Sequence, residues 1–212
     1  IIVYSLFPTV LLSNQEILTT NTFSSGFNSD NFQQDIIYSL IIDTDGSVNL
    51  NSYEGSGYII DIQNRPGRVG FPEVIESKIG NPRLVKFREI ETDRLLQVKG
   101  WDLKLGNQTF WNLYLMSFGS NINLNNLNLI NTEIIGTGDI NMGKNLNAGD
   151  IFISGNFNIY VDTSLPIVVI GSAEVPAEWI DATIGYLNQT NENYKFKVIV
   201  EEGSNVVFQN GE

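Results

Sequence analysis

Apolar and polar residues alternate with a two-residue period along much of this chain, most plainly at residues 121–131, Asn-Ile-Asn-Leu-Asn-Asn-Leu-Asn-Leu-Ile-Asn. That period puts one kind of side chain on each face of a strand. Ile122 and Leu124 share one face, and Asn121, Asn123 and Asn125 share the other. The phase breaks at Asn125-Asn126, which predicts a bulge or turn, and resumes with Leu127 and Leu129. The polar face carries amides rather than charges. Amides hydrogen-bond between neighbouring strands without the repulsion of a charged row, which suits stacked β structure.

The same pattern predicts strands over residues 36–42, 47–51, 58–62, 101–105, 110–118, 165–170, 194–200 and 206–208. Asp45-Gly46 is a hairpin signal between the first two of these, and Gly203-Ser204-Asn205 between the last two. Two helices are predicted. One runs from Pro72 to Pro82, with Pro at its first position and Gly80 as its C-terminal cap. The other runs from Pro176 to Leu187, with Trp179, Ile180, Ile184 and Leu187 on one face. Gly-Asp-Ile occurs at 138–140 and again at 149–151, an interval that fits short hairpins or, more loosely, a β-solenoid.

Short strands, frequent Gly/Asn turns and at most two short helices give an all-β fold, an antiparallel β-sandwich or jelly-roll-like body with an extended apolar N-terminal strand. Residues 13–212 read as a single domain, with an Asn/Gly-rich section at about 119–161. Residues 1–12 stand apart. They are almost wholly apolar, hold Pro8, and are too short to span a bilayer, which needs about 20 residues. A strand of this kind must be buried, in its own domain or in a groove of a neighbouring subunit. The second alternative makes Ile1, Ile2, Val3, Tyr4, Leu6, Phe7, Val10, Leu11 and Leu12 a donor strand. The start at Ile1 reads as a processed end or a fragment.

Composition narrows the function. The 212 residues are 42% hydrophobic and only 17% charged, with net charge −12 and a pI near 4.3. An acidic surface repels phosphate backbones, which excludes nucleic acid as a natural partner. The basic residues gather at Arg83, Lys86, Arg88, Arg94, Lys99 and Lys104, among Glu89, Glu91, Asp93 and Asp102, as in cross-strand ion pairing. There is no Cys and no His. Disulfides, thiolate nucleophiles and the commonest general base are thereby excluded, and no cofactor is expected.

The remaining candidates for chemistry are few. Asp43-x-Asp45-Gly46 resembles part of a calcium loop, but Ser52 stands where an EF-hand needs its bidentate Glu. A hairpin turn is therefore the expectation there and no metal site is assigned, the alternative being a non-EF calcium site built from Asp43, Asp45 and another loop. Asp139 and Asp150, equivalent in the two Gly-Asp-Ile copies, would lie about 5 Å apart on adjacent solenoid rungs, a spacing compatible with retaining glycoside hydrolysis. Trp101, Trp111, Tyr114 and Trp179 are candidates for a sugar platform, although their apolar context favours the core. Asn107 and Asn188 head matches to the N-glycosylation acceptor pattern.

These observations favour a non-enzymatic structural subunit of an extracellular, pilus-like or thread-like filament. Its partners would be further copies of itself and surface glycans, with no membrane span. Residues 1–12 would join each copy to the next. A virion surface, capsid or tail protein is the alternative within the same class, and a carbohydrate-binding or glycoside-hydrolysing module is the alternative outside it.

Overall fold

The structure, a computed structural model, describes residues 19–24, 37–64, 72–77, 79–89, 100–189 and 193–211. The all-β expectation holds. Among the described residues sixteen strands form one sheet: β1 (Thr19–Ser24), β2 (Ile37–Asp43), β3 (Ser47–Tyr53), β4 (Tyr58–Asn64), β5 (Glu73–Glu76), β6 (Arg83–Arg88), β7 (Gly100–Gly106), β8 (Phe110–Asn123), β9 (Asn128–Met142), β10 (Asn147–Ala148), β11 (Ile151–Asp162), β12 (Ile167–Gly171), β13 (Ile180–Ala182), β14 (Gly185–Leu187), β15 (Phe196–Val200) and β16 (Asn205–Gly211).

The sheet is mixed rather than antiparallel. β8, β9 and β11 pair in parallel along nearly their whole length. β2 and β6 extend this ladder on one side, and β15 and β12 on the other. Among the described residues antiparallel pairing is confined to the outer pairs, β1–β4, β4–β7, β5–β6, β12–β14 and β13–β14. Alternation misleads here for a physical reason. Parallel sheets are usually covered on both faces and read as continuous apolar runs, so alternating strands suggest antiparallel pairing. In this protein the parallel strands have one face on the core and the other in solvent, and they alternate accordingly.

The three long strands bend at a crease, so the one sheet forms two arms. Gly136 (φ 128°) and Gly155 (φ 120°) occupy neighbouring places in the crease, each pairing with the strand before it. A Cβ on Gly136 would lie 1.7 Å from the Ser117 carbonyl oxygen, and one on Gly155 would lie 2.0 Å from that of Gly136. Only glycine fits a position that combines this φ with so close a backbone approach. Ser117 and Ser120 are buried at the same crease, where Ser120 Oγ donates to Ser117 Oγ and accepts from the Val48 amide.

Each coil therefore runs along the first arm, through the crease, along the second arm and back by a tight turn. Residues 124–127 and 143–146 are two such turns, closed by Leu127 N–H to Leu124 O and Leu146 N–H to Gly143 O. Leu124, Leu127 and Leu146 point inward from these turns, as Leu165 does from the next turn at 162–165, and all four are buried. The inner residues of both arms form one hydrophobic core. At one end Phe87 on β6 meets Phe23, Tyr58 and Trp101 from β1, β4 and β7 edge-on, which packs the second arm against the first.

Chain order departs from spatial order at both ends. β2 lies between β6 and β8, and β15 lies between β11 and β12. Two predicted hairpins are thereby corrected. β2 and β3 do not pair, because Asp45-Gly46 carries the chain across the crease, and β3 pairs with β7 and β8. β15 and β16 each pair in parallel with β11. Neither predicted helix forms. The β-branched pair Val74 and Ile75 lies in β5, and Gly185 (φ 132°) starts β14 in a position that no helix contains. No helix among the described residues is long and apolar enough to cross a membrane. The residue 1–12 donor strand lies outside the described residues.

Candidate functional site

The outer surfaces of the two arms have different chemistry. Register places the outward side chains in rows that run across the strands. On the second arm one row reads Thr22, Asp61, Asp102, Asn49, Asn121, Asp139, Asn158 and Val207 from β1 to β16. Its three carboxylates each accept from a neutral donor: Asp61 from Thr22 Oγ1 at 2.6 Å, Asp102 from Asn49 Nδ2 at 3.0 Å, and Asp139 from Asn158 Nδ2 at 2.9 Å. Asn51 sits one step along the strands, accepting from Asn123 and donating to Asn49. The amide stacking expected from the sequence is therefore present as hydrogen bonds.

The first arm begins in the same way. Asn131 Nδ2 donates to Asn112 Oδ1 at 2.9 Å, and Asn147 Nδ2 donates to Asn128 Oδ1 at 3.2 Å. Two residues beyond Asn112 and Asn131 the chemistry changes. Ile41, Tyr114, Glu133, Phe152 and Ile199 follow one another across β2, β8, β9, β11 and β15. Phe152 is 49% exposed. Two adjoining hollows lie along this row and meet at Glu133 and Phe152. One, of about 340 Å³, reaches Ser39, Asn112 and Tyr114; the other, of about 520 Å³, reaches Ile135, Ser154, Ile199 and Glu201. Together they make a shallow groove across the strands with an aromatic and aliphatic floor and two carboxylates. The Tyr114 hydroxyl is shifted above its ordinary pKa, first by burial and then by the negative charges of Glu133 and Asp43.

The residues singled out from sequence fall in different places. Trp101, Trp111 and Trp179 are core side chains, and Trp111 Nε1 donates to Gly106 O at 3.1 Å. Of the four proposed platform aromatics, Tyr114 alone lies on an outer row. Asp139 and Asp150 are not brought together: Asn158 stands opposite Asp139, and β11 begins with Ile151 opposite Thr132. The proposed carboxylate pair for glycoside hydrolysis is thereby corrected. Asp43 forms an ion pair with Arg88 at 3.5 Å. Among the described residues no three Asp or Glu converge as a metal site.

Asn107 accepts from the Gly55 amide, and its acceptor-pattern partner Thr109 is buried with its hydroxyl on the Gly57 amide. Asn188 accepts from Ile167 N at 2.9 Å and donates to Leu165 O at 2.7 Å. Both amides already serve the fold. The groove itself was missed from sequence. Tyr114, Glu133 and Phe152 recur at the nineteen-residue interval that also separates the hydrogen-bonded pairs Asn112/Asn131 and Asp139/Asn158, and a search at that period would have aligned them.

Comparison with known proteins supplies a fold and no family. No family model matches the chain, and no curated protein matches it. Among solved structures it is similar to a protein of Clostridium sporogenes ATCC 15579 described as a "putative cell adhesion protein". The TM-score is 0.66 and the identity 12%, covering 92% of this chain and 100% of that one. A "putative adhesin" from Parabacteroides distasonis ATCC 8503 matches at TM-score 0.35 and 11% identity, over 92% of this chain and 67% of that one. The first of these shows that the fold recurs.

Proposed function

We propose that this chain is a non-enzymatic structural module displayed at a cell surface. The observation that carries this reading is the second arm's outer row. Asp61, Asp102 and Asp139 are all held by neutral donors of the same row, so the acidic side chains serve a rigid lattice rather than bond chemistry. A likeness in fold to a protein described as a putative cell adhesion protein supports the same reading. The test is an antibody against the chain, applied to intact source cells before and after external protease. The reading expects labelling that protease removes; labelling only after lysis overturns it.

The finer proposal is filament assembly, in which residues 1–12 of one copy add to a terminal sheet edge of the next. The apolar pattern of those residues supports it, as does the position of β1 and β13 at the two ends of the strand order among the described residues. A head-to-tail contact of this kind does not close on itself and so builds fibres. Light scattering and negative-stain microscopy of the full chain beside one lacking residues 1–12 decide it. Filaments lost on truncation, with folded monomers remaining, support donation; monomers in both samples remove it.

A further inference from the structure

We propose that the groove on the first arm's outer face binds an extended, Lys- or Arg-bearing segment of a partner protein. Three features of the groove select that occupant. The first is the sequence of side chains along its floor. Tyr114, Glu133 and Phe152 are neighbours on adjacent strands, so a carboxylate stands between two rings with about 4.8 Å from strand to strand. A cation seated on Glu133 meets an aromatic ring on either side, where ring quadrupoles add to the carboxylate's attraction.

The second feature is charge. Glu133 and Glu201 line the groove, and among the described residues no Lys or Arg lines either hollow. An anionic partner would meet repulsion, and a cationic one finds complementary charge. The chain's net charge of −12 extends that preference beyond the groove and speeds encounter with a basic partner.

The third feature is shape. The groove runs across five strands, from Ile41 on β2 to Ile199 on β15, and is open along its length. An extended peptide turns alternate side chains the same way. A segment alternating basic and apolar residues could therefore place its cations at Glu133 and Glu201 and rest its aliphatic stems on Phe152, Ile135 and Ile199. Long basic side chains suit this because their stems bury on apolar surface while the charge stays at the carboxylate. The second arm's outer row differs on both counts: it carries no aromatic ring beside a carboxylate, and its carboxylates each already accept from Thr22, Asn49 or Asn158.

This inference rests on the reading of the chain as a surface module and gives that module a partner. Its test is separate, because it is made on the purified full chain. Calorimetric titration at low salt would use an N-acetylated Lys-Val-Lys-Val-Lys amide as probe, with the Asp-Val counterpart and a neutral cello-oligosaccharide as controls. The expected result is saturable binding of the lysine peptide alone. Glu133→Gln and Phe152→Ala should each weaken it by about tenfold, the size of one well-placed cation–π or charge contact. Phe152→Tyr should retain it, and circular dichroism should show all variants folded. The proposal is overturned if the lysine peptide fails to bind or binds the variants as tightly as the parent. Preference for the Asp-Val peptide or the oligosaccharide overturns it equally. Surface labelling of cells would still stand or fall by itself.

Discussion

The two arms share a backbone and differ in what they show to solvent. On the second arm, Asp102 and Asn49, or Asp139 and Asn158, satisfy each other across strands and leave a closed polar lattice. On the first arm, the amide pairs Asn128/Asn147 and Asn112/Asn131 give way to Tyr114, Glu133 and Phe152. The same coil therefore presents an inert surface on one side and a receptive one on the other. A parallel roll makes this possible because each outward position repeats on adjacent strands, and one residue type per coil sets the character of a whole row.

The largest disturbance of this arrangement is expected at the crease, where both arms are set at once. Gly136→Ala puts a Cβ 1.7 Å from the Ser117 carbonyl oxygen at a φ of 128°. It should cost about 3 kcal/mol or more, read as a lower urea midpoint, and should disturb both faces together. Next come the turn leucines that close each coil. Leu127→Ala and Leu146→Ala empty fully buried sites and should cost about 2–5 kcal/mol each in the same assay.

The row residues separate the faces. Asn158→Ala removes the donor to Asp139 on the second arm and should cost about 1 kcal/mol. Phe152→Ala, half-exposed on the first arm, should change stability by no more than about 0.5 kcal/mol. Equal losses for the two would break the distinction between a lattice face and a contact face.

The smallest effect concerns pH. Tyr58 on β4 donates its hydroxyl to Glu76 on β5, linking strands of the two arms. Burial, and then the Glu76 carboxylate, raise its pKa above the ordinary value of 10.0. The unfolded tyrosine therefore loses its proton first as pH rises. Stability from this group is complete below about pH 10 and declines above it. Thermal melts across that range should show the decline, and Tyr58→Phe should flatten it.

Much of this was readable before the structure. Ile122, Leu124, Leu127 and Leu129 are buried and Asn121 is exposed, as the alternation requires, and the turn falls at Asn125-Asn126. Strand pairing was less readable. The true period is nineteen residues, carried by Leu127, Leu146 and Leu165, by Gly136 and Gly155, and by Ile140 and Ile159. The two Gly-Asp-Ile copies obscured it. Gly138 lies beside the crease while Gly149 precedes β11, so identical triplets occupy different places in the coil. The insertion of β2 between β6 and β8, and of β15 between β11 and β12, depends on contacts between distant segments that leave no local signature. The groove followed the period into obscurity, since Tyr114, Glu133 and Phe152 are related only through it.

The most direct test of the contrast between faces is an NMR titration of the isotope-labelled chain with the Lys-Val-Lys-Val-Lys peptide. The account predicts shifts concentrated at Tyr114, Glu133, Phe152 and Ile199, with Asn49, Asn121 and Asn158 unmoved. Shifts centred on the second arm, or spread evenly over both, would contradict it.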